Sequence, residues 1–112
     1  MKKNTVIFSL LVTLASCAPT NMYYWGSYDL ASYKHNKNKS EESQADLFSA
    51  FEDIINNKHK GTRNVVPPGV YADYGFLLIK NGQIAKGQEM LEQELVLYPE
   101  SKKMVEYILN KL

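Results

Sequence analysis

The apolar positions of this chain fall into stripes at helical spacing. Leu47, Phe48, Phe51, Ile54 and Ile55 recur so that they share one side of a helix. Ser40 precedes them as an N-cap, and Glu41 and Glu42 occupy the first turn, where the positive end of the helix dipole favours carboxylates. The pattern predicts a helix from residue 40 to about Lys58. A second stripe, Val70, Tyr71, Tyr74, Leu77 and Leu78, opens at Pro68 or Gly69 and stops at Asn81-Gly82, a pair suited to a left-handed C-cap. A third helix is expected from Ile84 to Tyr98, with Ala85, Gln88, Leu91 and Leu95 along one face and Pro99 ending it. Ser101 then caps a last helix striped by Met104, Val105, Ile108, Leu109 and Leu112. No stretch alternates convincingly as a strand, so the fold class is all-α, with four to five helices.

Ahead of these helices, Tyr23, Tyr24, Trp25, Tyr28 and Tyr33 place five aromatics within eleven residues. Ser27 is a candidate N-cap for a short helix through about Asn36. The aromatics suit an interfacial belt or a docking patch. A small domain also needs large side chains to fill its core, and that reading is preferred. Lys34 to Lys39, with His35 among three lysines, reads as a solvated turn. The segment from His59 to Gly69 breaks the helical pattern with Gly61, Pro67, Pro68 and Gly69. Its Lys60, Arg63, Val65 and Val66 are candidate partner-binding residues, because the adjoining prolines leave little backbone entropy to lose on docking. The alternative is that the two valines tuck into the fold and the prolines set the direction of the next helix.

The first residues read as an address. Lys2 and Lys3 precede an apolar run from Val6 to Leu14, a signal-peptide core about half of the roughly 20 residues that span a bilayer. The run ends in Leu14-Ala15-Ser16-Cys17, which resembles a bacterial lipobox. Small residues admit the peptidase, and the Cys17 thiol is the nucleophile that takes up the diacylglycerol. Residues 1–16 are therefore expected to be a cleaved signal peptide, 17–22 an acylated tether and 23–112 a single helical domain. The resemblance implies three acyl chains, palmitate among them, on the mature protein, and more than one chain is needed for firm anchoring. Ala18 follows the cysteine, rather than the aspartate that marks inner-membrane retention in enterobacteria-like sorting, which in a Gram-negative cell points to the outer membrane and a periplasmic face.

Charge and composition narrow the chemistry. The chain of 112 residues carries 13 basic and 12 acidic side chains; loss of Lys2 and Lys3 leaves a mature balance of −1. That balance argues against nucleic acid as a partner. One cysteine excludes an internal disulfide and a Cys-rich zinc site. His35 and His59 stand in polar stretches without a metal-binding spacing, so no metal or other cofactor is expected. The serines lack a G-x-S-x-G setting, and Glu52-Asp53 and Glu92 with Glu94 are expected to face solvent. Nothing marks a catalytic residue or a small-molecule substrate.

Residues 68–101 resemble one tetratricopeptide repeat, a helical hairpin of 34 residues, through Tyr71, Tyr74, Gly75, Leu78, Gly82, Gly87, Leu91, Leu95 and Pro99. In that pattern Gly75 and Gly87 let the two helices approach at their crossing. Glu94 departs from it, since the repeat carries alanine there, and the departure is expected to weaken packing against a following element. Tyr24-Trp25-Gly26 with Tyr28, and the run from Pro67 to Gly75, also resemble a family of small bacterial lipoproteins known as domain of unknown function 4810, over about residues 22–100. Members of that family look like gene neighbours of lipoproteins similar to the curli-secretion pore CsgG. The resemblance implies a non-enzymatic interaction module in envelope assembly or secretion, with other envelope lipoproteins as partners. The alternatives are a peptidoglycan-binding protein or small cell-wall enzyme, and a purely structural spacer.

Overall fold

The computed structural model describes residues 21–112, which hold five α-helices and two 3-10 turns and, within those residues, no strand. The helices are α1 (Tyr28–Asn38), α2 (Glu41–Asn56), α3 (Val70–Lys80), α4 (Ile84–Leu97) and α5 (Lys102–Lys111). The signal peptide and Cys17 lie outside the described residues.

Local chemistry sets most of the boundaries. Ser40 caps α2 through a capping box: its hydroxyl accepts from the Ser43 N–H at 3.1 Å, and the Ser40 N–H donates to Ser43 Oγ at 3.0 Å. The α3 helix ends in a Schellman motif, with Gly82 at φ +87°, its N–H bonded to the Ile79 carbonyl and the Gln83 N–H to the Leu78 carbonyl. Two expectations are corrected here. The stretch from Lys34 to Lys39 is not a solvated turn: α1 continues through Asn38, and Lys39 closes it in the left-handed conformation with its N–H on the His35 carbonyl. His35 itself is half-buried and shares a 3.0 Å hydrogen bond with Ser43 Oγ, so the end of α1 is tied to the start of α2. The second correction concerns α2, which stops at Asn56, with Asn57 as C-cap and a 3-10 turn at Lys58–Lys60.

The helices pair as two hairpins, α1 with α2 and α3 with α4, and α5 packs against the second of them. Phe51 of α2 stacks on Tyr74 of α3 at 5.1 Å, Phe48 meets Tyr74 edge-on, and Tyr28 of α1 reaches Phe51 at 5.4 Å. Ile54, Leu78 and Val66 are fully buried in the same core. Of the early aromatics, Tyr28 is thus a core residue, whereas Trp25 and Tyr33 remain exposed. A smaller core of Ala72, Leu91 and Val105 joins α3, α4 and α5. Gly75 and Gly87 face each other where α3 crosses α4: a Cβ on either would stand 2.7 Å from the other's carbonyl oxygen. The buried side of α4 is turned toward Gly87, Leu91 and Glu94, and the expected face residues Ala85 and Gln88 are exposed.

Glu94 overturns the reading of its carboxylate as solvent-facing. It is 0% exposed, and its Oε1 accepts from the Gly69 N–H at 2.9 Å and from the Ser101 hydroxyl at 3.1 Å. The Ser101 side chain is thereby drawn to α4 rather than capping α5. Where a repeat would place alanine, this chain holds a buried acceptor that fastens the start of α3.

Candidate functional site

A groove of about 400 Å³ runs between α1 and α3, over a floor that includes Leu47 of α2. Tyr28, Ser32 and His35 line it from α1, one helical turn apart in succession. Asp73, Phe76, Leu77 and Lys80 line it from α3 at i, i+3, i+4 and i+7. Lys39 closes one end. The α3 lining sits directly beside the core stripe of Val70, Tyr74 and Leu78, so the same turn of helix presents one flank to the core and the next to the groove. Aromatic and aliphatic surface is bracketed here by cations and a carboxylate. Such a groove can hold an extended or helical peptide by apolar contact and orient it by charge.

A three-residue polar cluster braces the opposite flank of α3. The Tyr74 hydroxyl donates to Glu52 Oε1 at 2.7 Å, and Lys86 Nζ donates to the same oxygen at 2.9 Å and to the Tyr74 hydroxyl at 3.1 Å. The Lys86 ammonium, and next the Tyr74 hydroxyl, hold the Glu52 carboxyl below its ordinary range. The reciprocal bonds raise Lys86, and burial raises Tyr74. This arrangement links α2, α3 and α4. Among the described residues no three potential ligands gather to hold a metal ion.

The segment from His59 to Gly69 is held at both ends. The Thr62 N–H donates to the Asn21 carbonyl at 3.0 Å and the Arg63 N–H to the Met22 carbonyl at 3.1 Å, so the first described residues run against the loop. Lys60 stands over the Tyr24 ring at 5.0 Å and Arg63 over the Tyr23 ring at 5.7 Å. At the other end the Tyr98 hydroxyl donates to the Val66 carbonyl at 2.6 Å. Burial, reinforced by the nearby Tyr23, pushes the Tyr98 phenol up to about 12, which keeps it a neutral donor. Of the four candidate partner-binding residues, Lys60 and Arg63 are exposed, Val65 is half-buried and Val66 is fully buried. Val66 is therefore a core residue and leaves the docking set. Cys17 lies outside the described residues.

The family model for domain of unknown function DUF4810 matches residues 22–108, more than three-quarters of the chain. The chain belongs to that family. No curated protein and no solved structure matches it. The matched span begins at Met22, so it takes in the Met22–Arg63 pairing as well as every groove residue. The structure also explains the Tyr24-Trp25-Gly26 run in physical terms. The Tyr24 hydroxyl donates to Asp53 Oδ2 at 2.8 Å, and Gly26, at φ +51°, lies so close to the same carboxylate that a Cβ would collide with it. The hydrogen bond to Asp53 also raises the Tyr24 phenol. Asp53, expected at the surface, is half-buried beneath this turn.

The groove itself was absent from the sequence reading. Its signal was present in the spacing of Tyr28, Ser32 and His35 and of Asp73, Phe76, Leu77 and Lys80. Those mixed polar and apolar positions lie on the shoulder of a stronger hydrophobic stripe and read as its margin.

Proposed function

We propose that this protein is a lipid-anchored interaction module of the outer membrane, acylated at Cys17, that receives a peptide or helix of another envelope protein in the α1–α3 groove. The groove carries this reading: Leu47, Phe76 and Leu77 lie between the cations Lys39 and Lys80 and the carboxylate of Asp73. Repeat-like helical hairpins use their paired helices to build such surfaces. The anchor rests on the lipobox-like Leu14-Ala15-Ser16-Cys17. A lipoprotein similar to the curli-secretion pore is the first partner to test, on the strength of the family resemblance alone.

Two measurements test the parts separately. Replacing Cys17 with Ser should abolish incorporation of a palmitate analogue, because serine cannot form the thioether; persistent label removes the anchor. A photo-crosslinker at Phe76, beside a matched probe at Glu106 on α5, should trap a discrete envelope partner from position 76 alone. Equal or absent trapping at both positions removes the groove and favours a spacer. Release of fragments from purified cell wall by the intact protein would instead favour the enzyme reading.

A further inference from the structure

The outward side of α1 has no role in the core or the groove. Leu30 and Tyr33 are 57% and 63% exposed; Tyr33 points away from buried Ala31, and Leu30 stands at the rim of a cavity that it shares with Ala31, Lys34 and α2. Lys34 and Lys37 share the side of Leu30 and Tyr33, and the Lys37 ammonium lies 5.9 Å from the Tyr33 ring centre. Met22 and Trp25, in the segment that leads into α1, are 53% and 40% exposed. Large side chains with apolar bodies, polar tips and flanking lysines are the chemistry of a bilayer interface.

Charge is segregated in a way that the mature balance of −1 conceals. Residues 21–39 together with 58–63 carry six basic side chains and one acidic one, Asp29. The α2 helix between them carries five acidic side chains and no basic one. The carboxylates nearest the α1 face are Asp29 on its flank and Asp46 and Asp53, which share a cavity with Lys34. Asp53 is already engaged by the Tyr24 hydroxyl and by Asn57. Of the six basic side chains, Lys34 and Lys37 stand on the outward face of α1, Lys39 closes the groove, and Lys60 and Arg63 stand over the Tyr24 and Tyr23 rings beside the N-terminal segment.

Reach fixes which end of the domain is near lipid. From Cys17 to Asn21 is four residues, at most about 14 Å of chain. The Asn21 and Met22 carbonyls are themselves bonded to Thr62 and Arg63. An acylated Cys17 thus keeps this end of the domain at the membrane surface. We propose that the outward face of α1, with Met22 and Trp25, lies against an anionic phospholipid bilayer, so that the groove is presented in a fixed orientation. This inference rests on the Cys17 anchor proposed above.

Trp25 is the only tryptophan in the chain and reports directly on the contact. The intact acylated protein, its acyl mass verified by mass spectrometry, is reconstituted into vesicles of phosphatidylcholine and phosphatidylglycerol with brominated acyl chains. Trp25 emission should be blue-shifted and quenched, and more so as the phosphatidylglycerol fraction rises. Lys34→Glu with Lys37→Glu, two exposed helix positions, should lower the bilayer-contacting population by about tenfold or more, since each basic residue near an anionic surface strengthens association roughly fivefold. Circular dichroism checks that the variant keeps its helices. Unquenched Trp25 in a correctly acylated protein overturns the proposal while leaving the anchor standing. Quenching insensitive to both lipid charge and the lysine changes also overturns it. Emission that shifts with protein density instead assigns the face to a second copy of the chain. A purified protein without acyl mass overturns the anchor and this inference together.

Discussion

Glu94 shows how a residue that breaks a pattern can be the one that secures it. Its Oε1 accepts the Gly69 N–H just before α3, where a carboxylate also meets the positive end of the helix dipole. Four residues on, Tyr98 holds the Val66 carbonyl, so the C-terminal half of α4 fastens the Val66–Gly69 segment at two points. Residue patterns alone assign this position to alanine. On that view Glu94→Ala repairs a defect and raises stability. The structure dictates the reverse: the change leaves the half-buried Gly69 donor and Ser101 hydroxyl without their acceptor, at a cost of about 1–3 kcal/mol, which outweighs the relief of the buried and unpartnered Glu94 Oε2. Thermal unfolding should show a lower melting temperature for Glu94→Ala. Glu94→Gln, which keeps one acceptor oxygen, should fall between it and the native protein. A melting temperature for the alanine variant at or above the native value would show that these bonds contribute nothing.

At the scale of elements, the crossing of α3 and α4 leaves no room for a side chain on either glycine. A Cβ on Gly75 would lie 2.7 Å from the Gly87 carbonyl and 3.0 Å from Leu91 Cγ. Backbone cannot step aside as a flexible side chain does. Gly75→Ala should therefore overpack the crossing, by about 1–3 kcal/mol, although helix propensity by itself favours alanine over glycine by about 1 kcal/mol. The two effects have opposite signs, and the melting temperature decides between them: a fall is expected, and a rise would mean that the helices are not held at this distance. The crossing was legible in the sequence because two glycines inside strongly striped helices have few other uses. The helices α2 to α5 were legible too, since their stripes and stop signals are local. The full length of α1 was not. Its last turn is lysine, asparagine and histidine, and it is helical because Lys39 adopts the left-handed cap and His35 bonds to Ser43 across the connection. Those are tertiary causes with no periodic trace. The groove stayed hidden for a related reason: it needs α1 and α3 side by side, and nothing in either helix alone says that they are neighbours.

For the whole molecule, the relation between the N-terminal segment and the loop after α2 decides how the domain is carried. Gly61 is the hinge of that relation. It is buried, and a Cβ there would stand 2.7 Å from the Met22 carbonyl oxygen and 2.8 Å from Tyr23 Cα. Its absence of a side chain lets the two backbones meet and the Asn21 and Met22 carbonyls accept from Thr62 and Arg63. The stacked pair Phe51 and Tyr74, and Leu78 beside them, do not depend on this contact, because they are packed by α2 and α3 themselves. Gly61→Ala should accordingly detach residues 21–23 without melting the helices, Tyr24 being held separately by Asp53. Amide hydrogen exchange at Thr62 and Arg63 should speed up by about tenfold or more, as expected when a pair of backbone bonds opens locally rather than with the whole fold. Helical circular dichroism should stay unchanged. Proteolysis should then cut near Tyr23 in the variant and spare the native protein. If exchange at Thr62 and Arg63 is the same in both proteins, the segment is not held by the loop, and the domain hangs from its anchor without a fixed orientation. If exchange rises everywhere, the contact belongs to the global fold and Gly61 is a structural residue of the core.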